Sequence, residues 1–135
     1  MFLEKLDERE KEVFLDLAKY TAKTNGMVEE SEKTMIQRYC REMGINEGKM
    51  YDSKSVDEAA AFFAERPGKV RNIVLTELLM LTYADKKYDK EEKAFLKDLA
   101  DEMKIGKDTY DTLKKDVERF LDLKDEMKKH IKESN

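Results

Sequence analysis

The residues best suited to chemistry in this chain are three carboxylates close together in sequence, Asp85, Asp89 and Glu92. Their oxygens are hard donors, and three of them around one helix start would suit calcium, magnesium or manganese. The spacing is not that of an EF-hand, which needs alternating acidic ligands, a Gly at the sixth position and a Glu at the twelfth. Counted from Asp85, the twelfth residue is Leu96, and Lys86 and Lys87 add positive charge that lowers cation affinity. The plainer structural reading makes Asp89 and Glu92 a helix-capping pair and Asp85 the end of the preceding helix. Glu77 is the second candidate. It lies inside an apolar run, where withdrawal from water would favour the neutral acid and suit a carboxylate-based hydrolase or lyase. The competing assignment gives Glu77 to the one face of its helix that reaches water or a Lys or Arg partner. Cys40 falls in an apolar row and reads as a small core residue, because a reactive thiol needs exposure and a positive neighbour. No phosphate loop, His-Glu-x-x-His or cysteine pair is present, and the single histidine, His130, lies near the carboxyl end. The expectation is a protein that is not an enzyme.

These groups must be positioned by helices. The stretch from Val70 to Asp85, VRNIVLTELLMLTYAD, has almost no polar face, and a helix apolar nearly all round belongs in the middle of a domain. Its large side chains contribute on the order of 15 kcal/mol gross when buried, at about 1.5–3 kcal/mol each, against about 1–2 kcal/mol per residue for ordering the backbone. Only packing on several sides makes that sum favourable. Glu77 interrupts the run, which also falls short of the roughly 20 apolar residues that a bilayer requires, so no transmembrane segment is expected.

With 135 residues the chain fits one domain that needs no disulfide or metal staple. Charged residues make up 43% and hydrophobic ones 40%, with one Pro and five Gly, a composition that favours helix throughout. The 31 acidic and 27 basic residues are mixed along the chain, with a net charge of −4, and leave no basic face for nucleic acid. One cysteine and an amino terminus, MFLEKLDERE, without the apolar stretch of a signal peptide point to a reducing, cytoplasmic setting.

Capping signals divide the chain. Phe2, Leu3 and Leu6 form a lead-in that could tuck against the domain. Asp7 with Glu10 is a capping box opening a helix over roughly 8–24, which Asn25-Gly26 can end. Glu29 with Glu32 opens a second helix, with Met35, Ile36, Tyr39, Cys40 and Met43 on one face and Gly44 as its stop. Residues 46–52 are expected to form a single turn. Ser55 with Glu58 opens a third helix, which stops near Arg66 because Pro67 follows. Asp89 with Glu92 precedes a helix buried through Ala94, Phe95, Leu96, Leu99 and Met103. A final helix is expected over 108–132. Its Tyr110, Leu113, Val117, Phe120, Lys124, Met127 and Ile131 alternate in steps of three and four, a coiled-coil-like seam with one Lys in it. At 1.5 Å per residue such a helix spans about 37 Å, close to the width of a domain with a radius of gyration of about 14 Å. The end carrying His130 is therefore free to project. A homodimer could form through Tyr110, Leu113, Val117, Phe120, Met127 and Ile131.

A shift of 60 positions superposes the chain on itself without a gap. Leu15 falls on Leu75, Glu32-Lys33 on Glu92-Lys93, Glu42-Met43 on Glu102-Met103 and Ile45 on Ile105. Each copy is a helix, a tight acidic turn and a second helix, and two such hairpins can bury their apolar faces together in a pseudo-two-fold arrangement. The copies Thr24-Asn25-Gly26-Met27-Val28-Glu29-Glu30-Ser31-Glu32 and Ala84-Asp85-Lys86-Lys87-Tyr88-Asp89-Lys90-Glu91-Glu92 resemble the TerB-like domains, named for a tellurite-resistance protein. In that family a helix runs into Ala-x-Ala-Asp-Gly, an apolar turn and a Glu-rich helix start. The similarity covers about residues 10–105, with Asn25 standing for the family's Asp and Lys86 for its Gly.

The resemblance implies an all-α, single-domain TerB-like helical bundle, with halves at about 10–45 and 70–105 and a carboxyl-terminal helix. It further implies a non-catalytic module of a bacterial stress response, acting as a protein-interaction scaffold and binding a divalent cation at its acidic turns. Two alternatives belong to other classes: a hydrolase or lyase with a pocket near Glu77, and a dimeric adaptor built on the last helix.

Overall fold

A computed structural model describes residues 1–24, 30–45, 55–83 and 90–133, with the backbone alone for Ser31, Glu32 and Lys90. Among these residues the fold is all-α. A short 3-10 turn, Leu3–Lys5, precedes six helices: α1 (Glu8–Lys23), α2 (Glu30–Met43), α3 (Val56–Ala64), α4 (Gly68–Thr82), α5 (Lys90–Glu102) and α6 (Lys107–Glu133). The expected stop at Asn25-Gly26, the cap at Glu29, the turn over 46–52, and Asp85 to Asp89 lie outside the described residues.

Local chemistry explains where the helices begin. At α1 the Glu10 amide donates to Asp7 Oδ1 at 2.8 Å, and the Asp7 amide donates to Glu10 Oε1 at 2.9 Å, the reciprocal box expected from the sequence. Arg66 then reaches this cap from the far end of α3, 3.6 Å from Glu10 and 3.8 Å from Asp7, with its guanidinium 4.4 Å from the Phe62 ring centre. At α3 only half of a box forms. Ser55 Oγ accepts from the Glu58 amide at 3.2 Å and donates its own proton to Glu58 Oε1, also at 3.2 Å. A serine has a hydroxyl proton to give, so the carboxylate takes that one instead of the backbone N–H. Pro67 occupies the cap position of α4, where a missing N–H costs nothing.

α4 is the central helix. It touches α1, α2, α3, α5, α6 and the amino-terminal 3-10 turn. Val74, Leu75, Leu78, Leu79 and Leu81 are buried on it, against Phe14, Leu15 and Leu17 of α1, Phe63 of α3, and Leu96, Leu99 and Met103 of α5. Tyr39, Cys40 and Met43 close the core from α2, with Tyr39 meeting Phe14 edge to face at 5.2 Å. Cys40 is thus a core residue, as its apolar row predicts. Leu3 and Leu6 are buried too, so the lead-in does tuck against the domain.

Two pairs of helix starts share a spacing of 60 positions. α1 and α4 begin at Glu8 and Gly68, and α2 and α5 at Glu30 and Lys90, each pair 60 positions apart. The two acidic turns that the repeat would pair fall outside the described residues. No helix among those described is long and apolar enough to cross a membrane.

α6 is divided along its length. Val117 is buried and Tyr110, Leu113 and Leu121 are half-buried against the domain, chiefly on α4. Beyond Leu121 the apolar row continues in the open, with Leu123 at 55%, Met127 at 55% and Ile131 at 71% exposure. The seam expected from the sequence is therefore half intramolecular and half unpartnered. The 27 residues of α6 span about 40 Å, and the last 12 carry the helix about 18 Å past its docked half.

Candidate functional site

Two of the three carboxylates expected from the sequence to form a set lie outside what the structure describes. Asp85 and Asp89 lie outside the described residues, while Glu92 is buried on α5. Among the described residues no group of three or more His, Cys, Asp or Glu side chains is placed to hold a metal ion.

Glu77 departs from the expected role. It is 1% exposed, so it marks no water-facing side of α4, and its cationic partner is neither Lys nor Arg. The α-amino group of Met1 lies 3.0 Å from Glu77 Oε1, and the Phe2 amide donates to the same oxygen at 2.9 Å. The reason is packing: α4 has five helices against it, and the 3-10 turn at the start of the chain lays the amino terminus across it. The ammonium also donates to Glu42 Oε2 of α2 at 3.0 Å. Burial opposes the ammonium's charge, but hydrogen bonds to Glu42 and Glu77 and their negative charges outweigh it, so its pKa lies above the usual 8.0. The Tyr39 hydroxyl donates to the backbone carbonyl of Glu77 at 2.8 Å. Burial, then the charges of Glu77 and Glu42, pushes that phenol well above its ordinary range. The arrangement anchors a chain end to two helices, α2 and α4. A signal for it existed in the repeat, which sets Glu77 opposite Leu17, a fully buried apolar residue.

Met1, Met80 and Phe120 stand between two hollows. One, of about 680 Å³, lies between α4 and α6 and is lined by Ile73, Thr76, Leu113 and Val117 among others. The other, of about 560 Å³, lies between α2, α4 and α6, with Met35, Tyr39 and Leu121 in its walls. Three cations, Arg38 of α2 and Lys124 and Lys128 of α6, border the second hollow. None of the three has an ion-pair partner among the described residues. The two carboxylates that face this hollow, Glu42 and Glu77, are both held by the Met1 ammonium. The result is an apolar groove with a cationic rim, continuous through Phe120 with the exposed row on α6. Thioether side chains line it, and these adapt to irregular apolar partners. Reading the sequence missed the groove, because it joins residues on three helices far apart in the chain.

A third cavity, between α5 and α6, is bordered by Lys93, Lys97, Lys107 and Lys114. Lys93 sits 4.6 Å from the Tyr83 ring centre, and burial, then the charge of Lys114, lowers its pKa.

Comparison of the chain with protein-family models, curated protein sequences and solved structures gives no match.

Proposed function

We propose that this protein is a non-catalytic helical module that binds a protein partner by receiving a helix in the groove between α2, α4 and α6. The observation that carries this is the apolar row Phe120, Leu123, Met127 and Ile131, exposed on α6 and running into a groove walled by Met35, Met80 and Leu121. Contiguous apolar surface of this kind marks a site of association. An amphipathic helix laid in a groove is one of the recurring ways in which partners use such a surface. A scaffold in a bacterial stress response is the setting that the likeness to TerB-like domains suggests for this module. A divalent cation at Asp85, Asp89 and Glu92 remains part of the proposal, resting on the chemistry of the donors.

The test compares capture of partners from cells by the wild type and by the double variant Phe120→Asp with Met127→Asp, both exposed positions outside the core. A partner retained by the wild type and lost by a folded variant supports the reading. An identical set of captured proteins refutes it.

One observation favours a second reading, a carboxylate-based hydrolase or lyase: Glu77 is buried and borders a cavity. Against it, Oε1 of Glu77 is already engaged by the ammonium and by the Phe2 amide. General acid–base work requires hydrogen-bond reach to a substrate proton.

A further inference from the structure

Resting on the groove as a docking site, we infer that its occupant is an amphipathic helix with acidic residues along its flanks, supplied by a protein partner. Charge complementarity carries the inference. Arg38 on one wall and Lys124 and Lys128 on the other face the hollow without ion-pair partners among the described residues, and the groove's own carboxylates, Glu42 and Glu77, are both tied to the Met1 ammonium. The cations are spread over both walls, so a helix lying between them meets positive charge on each flank while its apolar face contacts Met35, Met80 and Phe120. Leu123, Met127 and Ile131 prolong the contact by about three turns along α6. Glu or Asp beside a helical apolar stripe satisfies both features at once, whereas a basic helix would bring like charges together.

A second copy of the chain is the weaker occupant. Lys124 lies within the row, and a Lys in such a seam costs a self-paired coiled coil stability. The four exposed side chains present on the order of 400 Å² of apolar surface, enough for a functional patch.

The experiment is display selection on the full 135-residue chain. The library consists of helical peptides with fixed apolar positions at i, i+3, i+4 and i+7 and flanks randomised among Glu, Gln and Lys. Selected peptides should carry Glu over Lys at the flanks by about tenfold, as complementary charge across an interface predicts. Raising salt should weaken them, and the triple reversal R38E, K124E, K128E should invert the preference toward Lys. Strong binders with no flank preference would overturn the acidic assignment while leaving the groove as a docking site. No enrichment over the Phe120→Asp, Met127→Asp control would overturn both. Vesicles of phosphatidylcholine with phosphatidylserine form a parallel arm. If they bind the wild type, lose the triple reversal and outcompete the peptides, the occupant is an anionic lipid surface and the inference fails. A concentration-dependent dimer by light scattering that blocks peptide binding would likewise replace the partner helix with a second copy.

Discussion

Gly44 and Lys104, 60 positions apart, close α2 and α5 with the same backbone turn. Both lie in the left-handed region, at φ of 70° and 62°. Each is followed by an isoleucine whose amide reaches back five residues, Ile45 to the Cys40 carbonyl and Ile105 to the Ala100 carbonyl, both at 2.9 Å. This is the Schellman closure, and glycine suits its left-handed residue because it has no Cβ to clash. A lysine holds that place at the end of α5.

That difference sets up a paired measurement. Lys104→Gly should stabilise the fold by about 0.5–1 kcal/mol, and Gly44→Ala should destabilise it by about 1 kcal/mol. A Cβ built on Gly44 meets no atom within 4 Å, so the cost is conformational rather than steric. Urea midpoints moving in opposite directions support the assignment; a Gly44→Ala variant as stable as the wild type contradicts it.

Arg71 ties α4 to the end of α5. Its Nη1 donates to the Met103 carbonyl at 3.2 Å and to the Lys104 carbonyl at 3.1 Å. A cation bonded to the last carbonyls of a helix satisfies orphan acceptors and opposes the negative end of its dipole. Arg71→Ala should cost about 1–2 kcal/mol in denaturant unfolding, while Arg71→Lys, with one ammonium in place of a planar fork, should recover only part of this. Full recovery by lysine would mean that charge alone matters.

The clamp on the Met1 ammonium makes stability depend on pH in a definite direction. Its pKa is raised in the folded state, so the stabilisation is complete below the ordinary value of 8.0 and is lost as pH rises through the higher folded value. Melting temperature should therefore fall as pH rises above 8.0, and Glu77→Gln should flatten this fall. Removing the carboxylate should also cost about 1–2 kcal/mol near neutral pH, a figure kept small because the ammonium is partly exposed. A pH profile unchanged by Glu77→Gln would sink the assignment.

Truncation after Leu121 separates the two halves of α6. Nothing beyond that residue is fully buried among the described positions, so the shortened chain should keep its stability to within about 0.5 kcal/mol. It should lose binding of the partner captured by the full chain. A large loss of stability would show that the projecting half serves the fold instead.

The cation clause has its own calorimetric check. Calcium or manganese should give binding heat with the wild type and none with the Asp85→Asn, Asp89→Asn double variant, because hard cations need charged oxygen donors. Identical flat titrations would remove the clause.

The helices themselves could be read from the chain because the signals are local. Asp7 caps its own helix three residues away, Ser55 does the same, and Pro67 bars continuation of the preceding helix. Burial followed as well, since the all-apolar stretch around Leu75 and Leu78 had nowhere to go but the centre. The partner of Glu77 could not be read. Its carboxylate meets an amide 75 positions away, and Tyr39 reaches its carbonyl across 38, distances along the chain at which periodicity carries no information. The groove depends likewise on where α2, α4 and α6 come to rest. Hydrogen bonds between near neighbours and the spacing of apolar residues are properties of the sequence, whereas a charge clamp or a docking surface exists only after packing has brought distant side chains together.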